Sequence, residues 1–158
     1  MATVYLGLGT NLGNKEENLN NAVENIKEKI GEVTSLSSFI ETAPWGFESD
    51  YSFLNAALCV ETHLEPYQLL SVLKEIELEM GRTSKSVNKV YSDRIIDIDI
   101  LLYDDLILNT EDLVIPHPLM TERDFVMKPL AEIAGEVLHP VLNKKIKNIK
   151  YGGDIFVG

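Results

Sequence analysis

Asp97 and Asp99 stand two residues apart in an otherwise apolar run, Asp93-Arg94-Ile95-Ile96-Asp97-Ile98-Asp99-Ile100-Leu101-Leu102-Tyr103. Ile and Leu dominate the run, and β-branched side chains suit a pleated surface, so it reads as a β-strand. A strand sends alternate side chains to opposite faces. Ile96, Ile98, Ile100 and Leu102 are therefore expected on one face. Asp97 and Asp99 share the other, about 6.5–7 Å apart along the strand. Two carboxylates opening into one space repel unless a cation lies between them. Hard oxygen ligands suit magnesium, which proteins usually hold by one or two carboxylates plus substrate phosphates. Arg94, just before the strand, is placed to meet an anionic group in the same space.

A second reading of the same pattern stays open. Asp-x-Asp also describes the solvated face of an antiparallel sheet, with Arg94 as a surface partner. The preceding segment favours the first reading. Residues 81–94 form a polar stretch that carries Arg82, Lys85, Lys89 and Arg94, in a chain of formal net charge −11. Cations beside paired carboxylates fit a metal–polyphosphate. The same composition predicts a segment that orders over its substrates and excludes water.

Other residues have binding chemistry. Pro44, Trp45, Gly46 and Phe47 are followed by Phe53 and Asn55. Flat aromatics with an amide suit a planar heterocycle, although Trp45 and Phe53 fit a core equally well. His117 lies between Pro116 and Pro118, which restrict the backbone around it, and reads as a phosphate contact or as a structural turn. Arg123 and Phe125 add a cation and an aromatic nearby. Glu77 sits beside the apolar stripe of a helix and reads first as solvated. His63, His117 and His139 are too scattered for a zinc site. There is no P-loop signature, and Gly7-Leu8-Gly9 does not continue as a dinucleotide fingerprint.

The elements that must hold these residues follow from pattern. Thr3 to Leu8 reads as a strand, ending at Gly9 in a turn-rich loop. Asn14 and Glu17 resemble a capping box, and Leu19, Val23, Ile26 and Ile30 then recur at helical spacing until Gly31. Val33 to Thr42 and Phe53 to His63 read as strands. Pro66 opens a second helix, with Leu70, Leu73, Ile76 and Met80 as its stripe and Gly81 as its end. After Asp105 the prolines, Pro129 among them, are expected to divide the chain into short pieces, with one short helix over Phe125 to Ala134. The order strand, helix, strand, strand, helix, strand predicts an α+β, ferredoxin-like βαββαβ fold with a C-terminal extension. Its antiparallel sheet would carry both helices on one face and leave the other free.

At 158 residues the chain reads as one domain, 1–158, with a real core. No apolar run is long enough to cross a membrane, and the N-terminus lacks signal-peptide pattern. The acidic balance argues against nucleic-acid binding. The single cysteine, Cys59, fits a core position and a reducing, cytoplasmic setting.

Taken in order, Gly9-Thr10-Asn11-Leu12-Gly13, Thr42-Ala43-Pro44-Trp45-Gly46, Phe53-Leu54-Asn55-Ala56, Glu77 with Gly81-Arg82, the Asp93 to Leu101 segment and Ile115-Pro116-His117-Pro118 resemble the 6-hydroxymethyl-7,8-dihydropterin pyrophosphokinases. The resemblance runs from the first strand to about Pro129. It implies an enzyme of folate biosynthesis that moves the β,γ-diphosphate of ATP to the pterin hydroxymethyl group and releases AMP. It implies that Asp97 and Asp99 hold two magnesium ions, with Arg82 and Arg94 as further catalytic groups. Thr42, Ala43, Pro44, Trp45, Phe53, Asn55 and Phe125 would bind the pterin. Glu77, Arg82, Arg94, Ile100, His117 and Arg123 would bind ATP. Partners would be these small molecules alone, and the chain a monomer. Tyr91 stands in place of a loop tryptophan, and Asp112 where some relatives carry an arginine. Two other classes compete: a ligand-sensing module and a metal-dependent phosphohydrolase.

Overall fold

The computed structural model describes residues 1–42, 52–83 and 95–150, without the side chains of Arg82 and Thr83. Among the described residues it is a mixed α and β structure: one main antiparallel sheet, three α-helices and a small hairpin. The main sheet is built from β1 (Ala2–Thr10), β2 (Gly31–Leu36), β3 (Ile40–Thr42), β4 (Phe53–Thr62) and β5 (Asp97–Tyr103). Its order is β2-β4-β1-β5, with β3 also on β4 and every pairing antiparallel.

Helix α1 (Lys15–Lys29) starts where the sequence marks it. The Asn14 side chain accepts from the Glu17 amide at 3.1 Å, a cap that contributes about 1 kcal/mol. Glu16 and Glu17 in the first turn and Lys27 and Lys29 in the last complement the helix dipole. Leu19, Val23 and Ile26 are buried at helical spacing. Gly31 follows at once because nothing larger fits: a Cβ there would lie 1.9 Å from the Glu61 carbonyl oxygen.

Helix α2 (Pro66–Thr83) buries Leu69, Leu73, Ile76 and Met80. Leu70, expected in that stripe, lies on its flank and is half-buried. Gly81 does not end the helix, which continues two residues further to Thr83. Both helices pack their apolar stripes on Val4, Leu6, Leu58, Val60, Ile96, Ile98 and Ile100. Each fully buried Leu or Ile contributes roughly 1.5–3 kcal/mol.

The other sheet face is not wholly free. Helix α3 (Asp124–Ala134) and two short 3-10 turns, Met120–Glu122 and Ile146–Asn148, cover part of it. Met127, Leu130, Ala134 and Ile146 pack there with Ala57, Leu101 and Leu102. Leu102 thus lies opposite the face expected for it. The cause is a β-bulge: Tyr5 pairs with Leu102 but Leu6 pairs with Ile100, so Leu101 is an extra residue that inverts the alternation beyond it. Pro129 lies inside α3 rather than breaking it; its ring removes only the amide that would bond the Phe125 carbonyl.

Strand β1 runs to Thr10, past the glycine expected to end it, because Gly9 and Thr10 still pair with Asn55 and Leu54. The stretch Val33 to Thr42 breaks at 37–39 into β2 and β3, both paired with β4. The hairpin β6 (Leu108–Asn109) and β7 (Val114–Ile115) was too short to show in the sequence. No helix among the described residues is long and apolar enough to cross a membrane.

Candidate active site

The site follows from strand register. Gly9 pairs with Asn55 on one side and with Asp97 on the other; Gly7 likewise lies between Ala57 and Asp99. Directly opposed residues of antiparallel strands share a face. Asn55, Gly9 and Asp97 therefore form one row across the sheet, and Ala57, Gly7 and Asp99 the next. Both rows face away from α1 and α2, whose side of the sheet takes Ile96, Ile98 and Ile100, and α3 covers the Ala57 end of the second row. Asp97 and Asp99 are partly exposed on that face, Asp99 by 38% of its side chain.

Asn55 is buried, and its amide is fixed. Its Nδ2 donates to Thr42 Oγ1 at 3.0 Å and to the Ile40 carbonyl at 3.4 Å. The Oδ1 acceptor then faces the bare α-carbon of Gly9, 3.1 Å from where a Cβ would stand. Phe53, paired with Thr42, brings its ring to the same place, its Cδ1 3.8 Å from that point. Below them, Lys15 Nζ donates to the buried Ser52 Oγ at 3.1 Å, and Ser52 donates to Glu41 at 2.8 Å. This relay ties the start of α1 to the strand ends that flank residues 43–51.

His117 reaches the carboxylates from the segment after β7. Its backbone amide donates to the carbonyl of Leu101, the bulged residue, at 3.1 Å. Its Nδ1 accepts from the Leu119 amide at 3.2 Å. In the neutral ring this leaves the proton on Nε2, which lies 4.0 Å from Asp99 Oδ2. Burial holds the His117 pKa below its ordinary value; Asp99 opposes that shift, Arg123 adds to it and Asp97 opposes it. The neutral ring is thus a hydrogen-bond donor aimed into the space beside Asp99. Arg123 is close enough to be felt there, and its guanidinium carbon stands 5.6 Å from the centre of the Phe125 ring.

A cavity of about 290 Å³ adjoins this face at the β5 edge. Apolar Leu70, Leu73 and Leu113 line it together with Asp97, Asp99 and His117. Ile100 and Glu77 also line it. Glu77 is not simply a solvated helix residue: its Oε2 accepts from the Ile98 amide at 2.7 Å, on the outer edge of β5.

The structure thus brings together Thr42, Phe53, Asn55, Asp97 and Asp99 on the open face, with Glu77, Ile100, His117 and Arg123 around the carboxylates. Ala43, Pro44, Trp45, Arg94 and the Arg82 side chain lie outside the described residues, as do Lys85, Lys89, Tyr91 and the expected mobile segment from residue 84 on. Among the described residues no group of three His, Cys, Asp or Glu side chains could hold a metal ion. Two carboxylates with open neighbouring space nevertheless fit magnesium, whose remaining ligands are commonly substrate oxygens and water. His63 is exposed. His139 is a turn element whose Nδ1 accepts from the Val141 and Leu142 amides. Sequence reasoning placed Gly9 at a strand end and gave neither Gly7 nor Gly9 a part in the site. Their signal was the Gly-x-Gly spacing, which matches Asp-x-Asp and pairs with it.

Comparison with known proteins identifies the family of the chain. Residues 5–135 match the family model of 7,8-dihydro-6-hydroxymethylpterin-pyrophosphokinase. A 2-amino-4-hydroxy-6-hydroxymethyldihydropteridine pyrophosphokinase of Porphyromonas gingivalis is 47% identical over 141 residues, 89% of this chain and 95% of that protein. One of Aquifex aeolicus is 42% identical over 150 residues, 95% of this chain and 91% of the relative. A folic acid synthesis protein of Dictyostelium discoideum is 44% identical over 156 residues, 96% of this chain but 23% of its own length. A solved HPPK-DHPS structure of Plasmodium falciparum shares the fold at TM-score 0.73 and 19% identity; it covers 98% of this chain, which spans 42% of the Plasmodium chain. With the paired aspartates, the Asn55 amide and the Pro-His-Pro segment all inside the matched residues, the chain belongs to the 7,8-dihydro-6-hydroxymethylpterin-pyrophosphokinase family.

Proposed function

We propose that this chain transfers the β,γ-diphosphate of ATP to the hydroxymethyl group of 6-hydroxymethyl-7,8-dihydropterin and releases AMP, a step of folate biosynthesis. The observation that carries the reading is the single sheet row that sets the Asn55 amide beside Gly9 and Asp97. One end of that row suits a planar heterocycle and the other a metal–polyphosphate. The hydroxymethyl oxygen attacks the β-phosphorus, the bond from that phosphorus to the α–β bridging oxygen breaks, and the hydroxyl proton is lost.

Asn55, with Thr42, Phe53 and Phe125, holds the pterin; Ala43, Pro44 and Trp45 complete that site. Asp97 and Asp99 hold two magnesium ions. Bound magnesium neutralises charge on the transferred group and acidifies the attacking hydroxyl. His117 donates from Nε2 to a phosphate oxygen, which its neutral state and fixed tautomer support. Arg82, Arg94 and Arg123 add positive charge around the phosphates, as transfer of this kind demands. Glu77 and Ile100 line the nucleotide cavity.

The fold is of the ferredoxin-like class, a reading supported by the antiparallel order β2-β4-β1-β5 and by the common face of α1 and α2. The chain acts as a single domain and a monomer in the cytoplasm, on small molecules alone, without nucleic acid or membrane.

The test is an assay of AMP formation with ATP, magnesium and the reduced pterin. AMP that forms only when pterin is present is the expected result. AMP or ADP without pterin would make the chain a phosphohydrolase, and binding without turnover would make it a sensor.

A further inference from the structure

Gly7 and Gly9 occupy equivalent places in β1, each between β4 and β5, yet their surroundings differ. A Cβ on Gly7 would stand 3.3 Å from Leu101 Cδ1, so that glycine makes room for the bulged core residue. Gly9 is buried, and among the described residues a Cβ on it would meet Asn55 Oδ1, at 3.1 Å, and Phe53 Cδ1, at 3.8 Å, within 4 Å. Among the described residues no atom of the hydrophobic core lies within that distance. The backbone of Gly9 sits inside a regular ladder with Asn55 and Asp97 and needs no left-handed conformation. A strand residue flanked on both sides by partners is a poor place for glycine, which weakens strands and commonly marks close approach by a ligand. Among the described residues the one tight contact a side chain at position 9 would make is with the Asn55 amide, a group of the candidate site, and the β1 backbone there needs no special conformation.

We infer that Gly9 is a positioning residue for the pterin: its bare α-carbon is the floor between Asn55 and Asp97 across which the heterocycle extends its hydroxymethyl group toward the carboxylates. The inference rests on the proposed function. The floor has two effects. It lets Asn55 keep the orientation set by Thr42 and the Ile40 carbonyl, with Oδ1 open to a ring N–H donor. It also leaves the row two strand spacings wide with no side chain in the middle, so a flat molecule can lie low enough to touch both ends. A methyl group at Gly9 pushes on the Asn55 amide and raises the ligand off the sheet. Misplacement of this size in a positioned reactant is costly even when no chemical group is lost.

The experiment compares the parent, Gly9→Ala and Gly7→Ala. Pterin affinity is measured by calorimetry with magnesium and an ATP analogue whose α–β bridge cannot be cleaved. Steady-state KM and kcat and Tm are measured beside it. For Gly9→Ala the expected result is a pterin Kd and KM raised about tenfold or more, with ATP KM unchanged and Tm equal or higher. For Gly7→Ala any loss shows in Tm, with pterin affinity kept in the folded fraction. A Gly9→Ala pterin Kd within about twofold of the parent overturns the inference. So does a fall in Tm and ATP affinity that parallels the loss of pterin, or a variant that does not fold, since the strand would then need the glycine for itself. A parent that binds no pterin fails the proposed function as well. A parent that turns over normally beside an unaffected Gly9→Ala fails this inference alone.

Discussion

Asn55 and Asp97 stand on one row of the sheet with only Gly9 between them. Strand spacing puts their backbones roughly 9.5 Å apart. The group proposed to read the heterocycle and a group proposed to hold the metal are thus fixed by the same ladder of hydrogen bonds. Sites on strands hold geometry better than sites on loops. The bulge at Leu101 extends the arrangement to the third dimension. It turns Leu101 and Leu102 toward α3, and the Leu101 carbonyl fastens His117 beside Asp99. A bulge next to a reactive centre is a common way to re-aim a chain.

Asp97→Ala and Asp99→Ala should each reduce turnover on the order of a hundred- to a thousandfold, the usual loss when one stabilising group of a transition state is removed. Pterin binding should survive better than catalysis, because Asn55 and Phe53 are untouched. Removing one of two neighbouring carboxylates also relieves repulsion, so metal-free stability should stay within about 1 kcal/mol of the parent. Turnover, pterin affinity and thermal unfolding of each variant check this. Near-normal turnover at modest magnesium in either variant removes that aspartate from the metal site.

Gly31→Ala tests the turn from α1 into β2. Its Cβ would lie 1.9 Å from the Glu61 carbonyl oxygen, which belongs to the backbone of β4 and cannot swing aside. The expected loss is on the order of 3 kcal/mol or more, a core-clash magnitude, without a selective effect on either substrate. Chemical denaturation measures it. A variant as stable as the parent would show that α1 can shift on the sheet.

Much of this was legible before any coordinates. Asn14 and Gly31 marked the limits of α1 because capping and close approach are local demands. Asp97 and Asp99 announced their shared face because alternation is a property of the strand alone. Leu102 was misplaced because a bulge depends on how β1 pairs with β5, and no single segment carries that information. Leu69 displaced Leu70 in the stripe of α2 for a similar reason: both fit a helical period, and only packing against the sheet chooses between them. The helix over Phe125 to Ala134 was legible, but its cover over Ala57 and Leu101 was not, because docking on the sheet depends on contacts between distant segments. The place of Gly9 could not be settled from its own neighbourhood: the Gly-x-Gly spacing was visible, but the partners it pairs with, Asn55 and Asp97, lie on other strands.

His139 should give folding stability a pH dependence separate from the site. It is buried, its Nδ1 accepts from two backbone amides, and burial lowers its pKa below the ordinary value of 6.5. The unfolded chain therefore takes up the proton first. Stability is full above about pH 6.5 and falls as pH drops from there toward the folded-state pKa, then levels off. His117 acts in the same direction, so the diagnostic quantity is a difference between proteins. His139→Gln cannot titrate and should lose Tm less steeply than the parent from about pH 7.5 to 5.5. Its absolute stability should be lower, by about 1–3 kcal/mol if the two amides lose their acceptor. Parallel slopes in parent and variant would remove His139 from the account.

Glu77 should act through β5 rather than by charge on the nucleotide. Strand β5 is the edge of the sheet, so the Ile98 amide points away from β1 and has no strand to pair with. Glu77 Oε2 accepts it at 2.7 Å, which satisfies the edge and holds it between Asp97 and Asp99. Glu77→Ala removes the acceptor. It should lower stability by about 1–3 kcal/mol, the usual result of stranding a donor, and weaken ATP through the displaced strand. Glu77→Gln keeps an acceptor oxygen at nearly the same place and should retain most of both. The two variants therefore separate geometry from charge. Denaturation and ATP KM, measured together on each, decide the matter. If Glu77→Gln unfolds like the parent but loses ATP affinity as fully as Glu77→Ala, the carboxylate charge meets the nucleotide site directly and the role through Ile98 is wrong.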